Sequence, residues 1–194
     1  MKQLRMTPEE YRRAQQWMKD ENWILERRYI QDADYLECVM DILEHPVYQS
    51  MNHYIQHGTT TCREHCLRVS YLSYHLCRKL GWDYRSAARA GLLHDLFLYD
   101  WHTHAKETGH RFHGFTHPRT ALENAVKYFT LTEKEQNMIL RHMWPMTPIP
   151  PKSREGFCLL YADKICSAAE VAASMRDWIL DKAGVEHDIL GKTI

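Results

Sequence analysis

The chain has 194 residues, with 25 Lys plus Arg against 25 Asp plus Glu, so its formal net charge is zero. That length suits one domain with a full-sized core, and the charge balance excludes a nucleic-acid-binding arm or a polybasic membrane anchor, while leaving room for a small anionic substrate. The N-terminal stretch MKQLRMTPEEYRRAQQ is not apolar and no run reaches membrane-spanning length, so a cytoplasmic protein with six free thiols is expected.

The pattern of apolar residues has a helical period nearly throughout. Thr7, Pro8, Glu9 and Glu10 predict a helix start, with a cap, a proline in the first turn and acids at the positive dipole end; that helix runs to about Tyr29. A second covers Asp34 to Glu44 and stops before Pro46. Thr61 and Glu64 form a capping box for a helix that ends before Gly81. Asp83 caps the next, which reaches about Leu98. The stretch from Tyr99 to Thr116 has no clear period and holds His102, His104, His110 and His113. Pro118 opens a helix ending near Phe129, and Thr132 with Glu135 makes a second capping box for a helix ending near Met143. The proline-rich segment 144–151 is a loop, and a last helical region spans Arg154 to Leu180 with at most one break. No strand, repeat or linker stands out. The fold expected is all-α, a single helical bundle, with residues 1–60 as an N-terminal helical extension, 61–180 as the functional domain and 181–194 as a tail.

Several histidines and acids occupy positions where an apolar residue belongs. His65 shares a stripe with Val69, Leu72 and Leu76. Ala87 and Gly91 line one face with His94 and Asp95, and the small residues Ala87, Ala88 and Gly91 predict a close helix–helix approach. His142 follows Met138 and Ile139 on their face, Asp163 follows Leu159 and Leu160, and His117 precedes Pro118, ahead of Ala121, Leu122 and Ala125. One inward His needs only a hydrogen-bond partner, and a bare His-Asp pair is weak, since His187-Asp188 repeats it in the tail. Several helices that each turn an ionisable group inward are different. Unpartnered buried carboxylates are costly, and a divalent cation shared by Asp95, Asp163 and several imidazoles removes the cost. Cys62 and Cys66, four apart with no second pair nearby, are read as small helix residues rather than a zinc site.

The order of these residues resembles the HD-domain superfamily of metal-dependent phosphohydrolases. The matching pieces are Glu64-His65-Cys66-Leu67-Arg68-Val69, Gly91-Leu92-Leu93-His94-Asp95-Leu96 and Leu160-Tyr161-Ala162-Asp163-Lys164-Ile165, with His117 and Arg141-His142 between the last two. The resemblance covers roughly residues 61 to 170. It implies that His65, His94, Asp95 and Asp163 hold one metal, and that Asp95 bridges to a second held by His117 and His142, as in the two-metal branch. Many two-metal members carry a Lys three residues after the Asp of the pair, where this chain has Leu98.

Imidazole and carboxylate ligands suit Fe, Mn, Co, Ni or Zn better than Mg or Ca. The activity implied is hydrolysis of a nucleotide or other small phosphate ester by a metal-activated hydroxide. Asp95 would be central, and the cations Arg68 and Lys164, beside proposed ligands, could serve the phosphate or leaving oxygen; for Arg68 a structural salt bridge is an equal alternative. The same scaffold also resembles di-iron oxygenases, and a non-catalytic nucleotide- or metal-binding module is a third reading. Neither nucleic acid nor membrane is expected as a partner.

Overall fold

A computed structural model describes Tyr29 and residues 31–101 and 113–183. Among them are seven α-helices: α1 (Ala33–Leu43), α2 (Pro46–Ser50), α3 (Cys62–Lys79), α4 (Tyr84–Leu93), α5 (His113–Tyr128), α6 (Glu133–Arg141) and α7 (Arg154–Ala183). The chain is all-α in class, as the periodicity predicts. The helix expected from Thr7 and the second His-Asp pair, His187-Asp188, lie outside the described residues, as do His102, His104 and His110.

Both capping boxes form. Thr61 accepts from the Glu64 amide while Glu64 accepts from that of Thr61, and Thr132 and Glu135 do the same for α6. Asp83 caps α4 by accepting from the Ser86 amide.

Helix α3 crosses α4 at a contact made of small residues. A Cβ on Gly91 would stand 2.5 Å from the Ser70 Cα. Ser70 donates to the Ala88 carbonyl at 2.7 Å and shares a 2.8 Å hydrogen bond with the Tyr35 hydroxyl, linking α1 to the same seam. The close approach expected from Ala87, Ala88 and Gly91 is therefore present. Arg89, nearly buried, ties α1 and α6 to α4: it meets Asp41 at 2.6 Å, donates to the Cys38 carbonyl and lies 3.5 Å from Glu135.

Four expectations are corrected. Ile55–His57 and Thr60–Thr61 form a small antiparallel ribbon, β1 and β2, turning at Gly58 in the left-handed region (φ +58°); strands this short carry no readable period. Helix α4 ends at Leu93 rather than near Leu98, because the chain turns at His94-Asp95 and Leu98 adopts φ +59°, a conformation no helix continues through. Pro118 lies inside α5 rather than opening it; the helix gives up only the hydrogen bond to Gly114, and the buried Ala121 and Ala125 anchor the turns beyond the proline. On α3 the deeply buried stripe runs through Cys62, Cys66, Val69, Ser70, Ser73 and Cys77, with Leu72 and Leu76 half-buried at its side, since only small residues admit α4. Cys62 and Cys66 are buried free thiols on α3.

Helix α7 is unbroken and changes character along its length. Up to Glu170 one face is buried, through Cys158, Leu159, Ala162, Asp163, Cys166 and Glu170; beyond it no described residue is buried, and Met175 and Trp178 are about three-fifths exposed.

Candidate metal centre

The six candidate ligands come from five helix segments and meet in the core. His65 stands in the first turns of α3, His94 and Asp95 at the end of α4, His117 in α5, His142 at the end of α6 and Asp163 in α7. None is more than 5 % exposed.

Their facing atoms divide into two sets around Asp95. Asp95 Oδ2 lies 3.4 Å from His94 Nε2 and 3.9 Å from His65 Nε2. Asp163 Oδ1 closes that set, at 3.2 Å from His65 Nε2 and 3.8 Å from His94 Nε2. On the other side Asp95 Oδ1 lies 3.2 Å from His117 Nε2 and 3.5 Å from His142 Nε2, and those two nitrogens are 2.9 Å apart. Two of the three-residue groups whose ligand atoms converge tightly are His65-His94-Asp163 and His94-Asp95-His142.

In His65, His94 and His142 the opposite ring nitrogen is held by a partner. His94 and His142 each cap a helix C-terminus and place Nδ1 on the carbonyl three residues back, Gly91 at 2.9 Å and Ile139 at 2.8 Å. Carbonyls at a helix end lack an intrahelical partner, so they accept the Nδ1 proton, and Nε2 is the nitrogen aimed inward that a neutral ring would offer to a cation. His65 does the same through Glu170, whose Oε2 is 2.9 Å from Nδ1. This is how a protein orients imidazoles toward a cation.

A divalent ion fits these residues. His94 Nε2 and Asp95 Oδ1 are buried yet neither makes a hydrogen bond, an arrangement that burial penalises unless something else satisfies the atoms. The imidazole-carboxylate donor set suits a transition metal. The electrostatics agree: burial opposes the charge on Asp95, but His94, His117 and His142 hold its carboxyl well below the usual range. Burial likewise opposes charge on Asp163, and His65 and His94 bring it well below that range. Burial holds the His142 imidazole below its usual value and thus neutral, as a ligand must be.

The two candidate cations reach this centre differently. Lys164 Nζ lies 2.9 Å from Asp163 Oδ2. Arg68 contacts Glu170 Oε1 at 3.1 Å, so it meets the centre through the carboxylate that holds His65.

Three neighbours escaped the sequence reading. Glu170 is seven residues after Asp163, two turns along the same face of α7, and an acid on that buried face was the available signal. Gln56 Nε2 donates to Asp95 Oδ2 at 2.6 Å, and His57 sets its ring edge-on to His65 at 5.6 Å and converges with His65 and Glu170. Both belong to the ribbon, which has no sequence signature.

No helix among the described residues is long and apolar enough to cross a membrane. No curated protein and no solved structure matches the chain. The family model for the HD domain matches residues 63–171, more than half of the chain and the span that carries all six of these side chains, so the chain belongs to the HD domain family, a family of the metal-dependent hydrolase type.

Proposed function

We propose that this chain is a phosphohydrolase that binds two divalent transition-metal ions and cleaves a small phosphate ester, with nucleotides among the candidates. The observation that carries the reading is the division of the centre about Asp95: each carboxylate oxygen faces its own imidazoles. His65, His94, Asp95 and Asp163 would hold one ion, and Asp95, His117 and His142 the other. Ions held there supply Lewis acidity, which lowers the pKa of water and neutralises charge on phosphoryl oxygens.

The chain's own groups do the rest. Asp95 spans both halves and is itself held by Gln56, which fixes the carboxylate plane. Lys164 is half-exposed beside Asp163, which supports it as a cation that meets a phosphate oxygen. Arg68 acts through Glu170, neutralising it while it orients His65. Leu98 leaves no Lys at the position where many two-metal relatives carry one; of the substitutes the sequence offers, Asp100, Lys106 and Lys164, we take Lys164, a cation in contact with a proposed ligand.

The test is turnover under anaerobic conditions with manganese or cobalt replacing iron, beside elemental analysis of the purified protein. Two ions per chain and oxygen-independent release of phosphate, or of a phosphate monoester, are expected. Strict dependence on iron and oxygen with no ester hydrolysed would move the chain to the oxygenase reading; one ion at full occupancy would reduce it to a one-metal site.

A further inference from the structure

Between the ribbon and the exposed half of α7 lies a cavity of about 590 Å³, within the usual range for small-molecule pockets, roughly 300–1,000 Å³. Gln56 and His57 form one wall, Trp101 another, and Val171, Met175 and Trp178 the third. Residues 171, 175 and 178 fall on one face of α7 at helical spacing. Gly58 sets the distance between ribbon and helix: its φ is +58° and a Cβ there would stand 1.8 Å from Ser174 Oγ.

This cavity abuts the metal centre. Gln56, which lines it, is the residue bonded to Asp95, and His57, which also lines it, packs on His65. Its chemistry is the opposite of the centre's. No Lys, Arg, Asp or Glu is among the described residues that line it. A second phosphate or a carboxylate placed there would meet no opposite charge from the described residues that line it. Two indoles and a thioether are instead the surfaces on which a flat ring gains most. Large apolar side chains left in solvent, as Met175 at 60 % and Trp178 at 61 % exposure are, mark a binding surface when they are contiguous with a polar site.

We infer that this cavity holds the leaving group of the substrate, and that the substrate is a phosphate ester of a neutral, largely apolar aromatic alcohol. The assignment rests on the phosphohydrolase reading.

Two measurements on the full chain separate them. The first is calorimetric titration of the metal-depleted protein with 1-naphthol, the alcohol alone. Saturable binding at one site per chain is expected, weakened at least tenfold in Trp178→Ala and retained in Trp178→Phe, with no binding of glycerol. The second is turnover of the manganese-loaded protein on 1-naphthyl phosphate, AMP and glycerol 1-phosphate. A kcat/KM at least tenfold higher for the naphthyl ester than for either of the others is expected, with that preference collapsing in Trp178→Ala mainly through KM. Ester hydrolysis without naphthol binding, equal binding by wild type and Trp178→Ala, or a preference for AMP would each overturn the leaving-group assignment and leave the phosphohydrolase reading standing. Naphthol binding with no ester hydrolysed would overturn that reading and the assignment with it.

Discussion

Glu170 Oε2 lies 2.9 Å from His65 Nδ1, and the other Glu170 oxygen lies 3.1 Å from Arg68. A carboxylate bonded to the outer nitrogen fixes both the tautomer and the tilt of a metal-binding imidazole. Burial opposes the charge on Glu170, and His65 and Arg68 together hold its carboxyl below the usual range. Glu170→Gln keeps the shape and removes the charge. It is expected to weaken manganese affinity by about 10–100-fold, measured by competition with a chelator, while the helical circular dichroism is unchanged. Wild-type affinity would show that Glu170 only neutralises Arg68.

The ribbon makes a separate prediction. In Gly58→Ala the new methyl meets Ser174 and the backbone must keep a left-handed φ. A strain of about 1–3 kcal/mol is expected, relieved by moving the ribbon and with it Gln56. The expected outcome is a lower melting temperature together with weakened metal binding. Gln56→Ala, which leaves the turn alone, should reproduce the second effect without the first.

Arg89 tests the scaffold away from the centre. Arg89→Met removes the cation that faces Asp41 and the buried Glu135. Breaking a buried pair from one side costs about 3–5 kcal/mol. Asp41 is exposed, so the lower end is expected, read as a shift in the urea midpoint. A change within about 0.5 kcal/mol, the range of an ordinary surface substitution, would mean that the Thr132–Glu135 capping box satisfies Glu135 unaided.

Metal binding should follow pH with a definite sign. Burial opposes charge on His65 and His94, but Asp163 and Glu170 raise the first above its ordinary value, and Asp95 raises the second well above it. In the metal-free protein these histidines therefore add stability that is fully present below about 6.5 and is lost as pH rises through their raised values. A metal needs them neutral, so binding releases protons. The rise in melting temperature from a fixed concentration of manganese is thus expected to grow steadily from about pH 6 to about pH 8. A shift that is flat or falls over that range would mean that His65 and His94 are not ligands.

Most of the helix starts were legible in the sequence because caps are local: Thr61 with Glu64, Thr132 with Glu135, and Asp83 each satisfy amides within one turn. The six candidate ligands were legible because an ionisable residue on an apolar face violates a periodicity that a single sequence displays. The close crossing of α3 and α4 was legible too, since only glycine, alanine and serine permit it.

What tertiary structure decided lies where neither caps nor periodicity act. Pro118 falls within α5 because buried Ala121 and Ala125 hold the helix in place beyond it. The ribbon at 55–61 is too short to show alternation, and it forms because Gly58 can approach Ser174, far away along the chain. Gln56 and His57 reach Asp95 and His65 only once that approach is made. Glu170 shares the buried face of Asp163 by periodicity, but its partners were decided only when α3 brought His65 and Arg68 to its two oxygens. A sequence records which groups must avoid water; which of them then meet depends on helix crossings that many distant side chains set together.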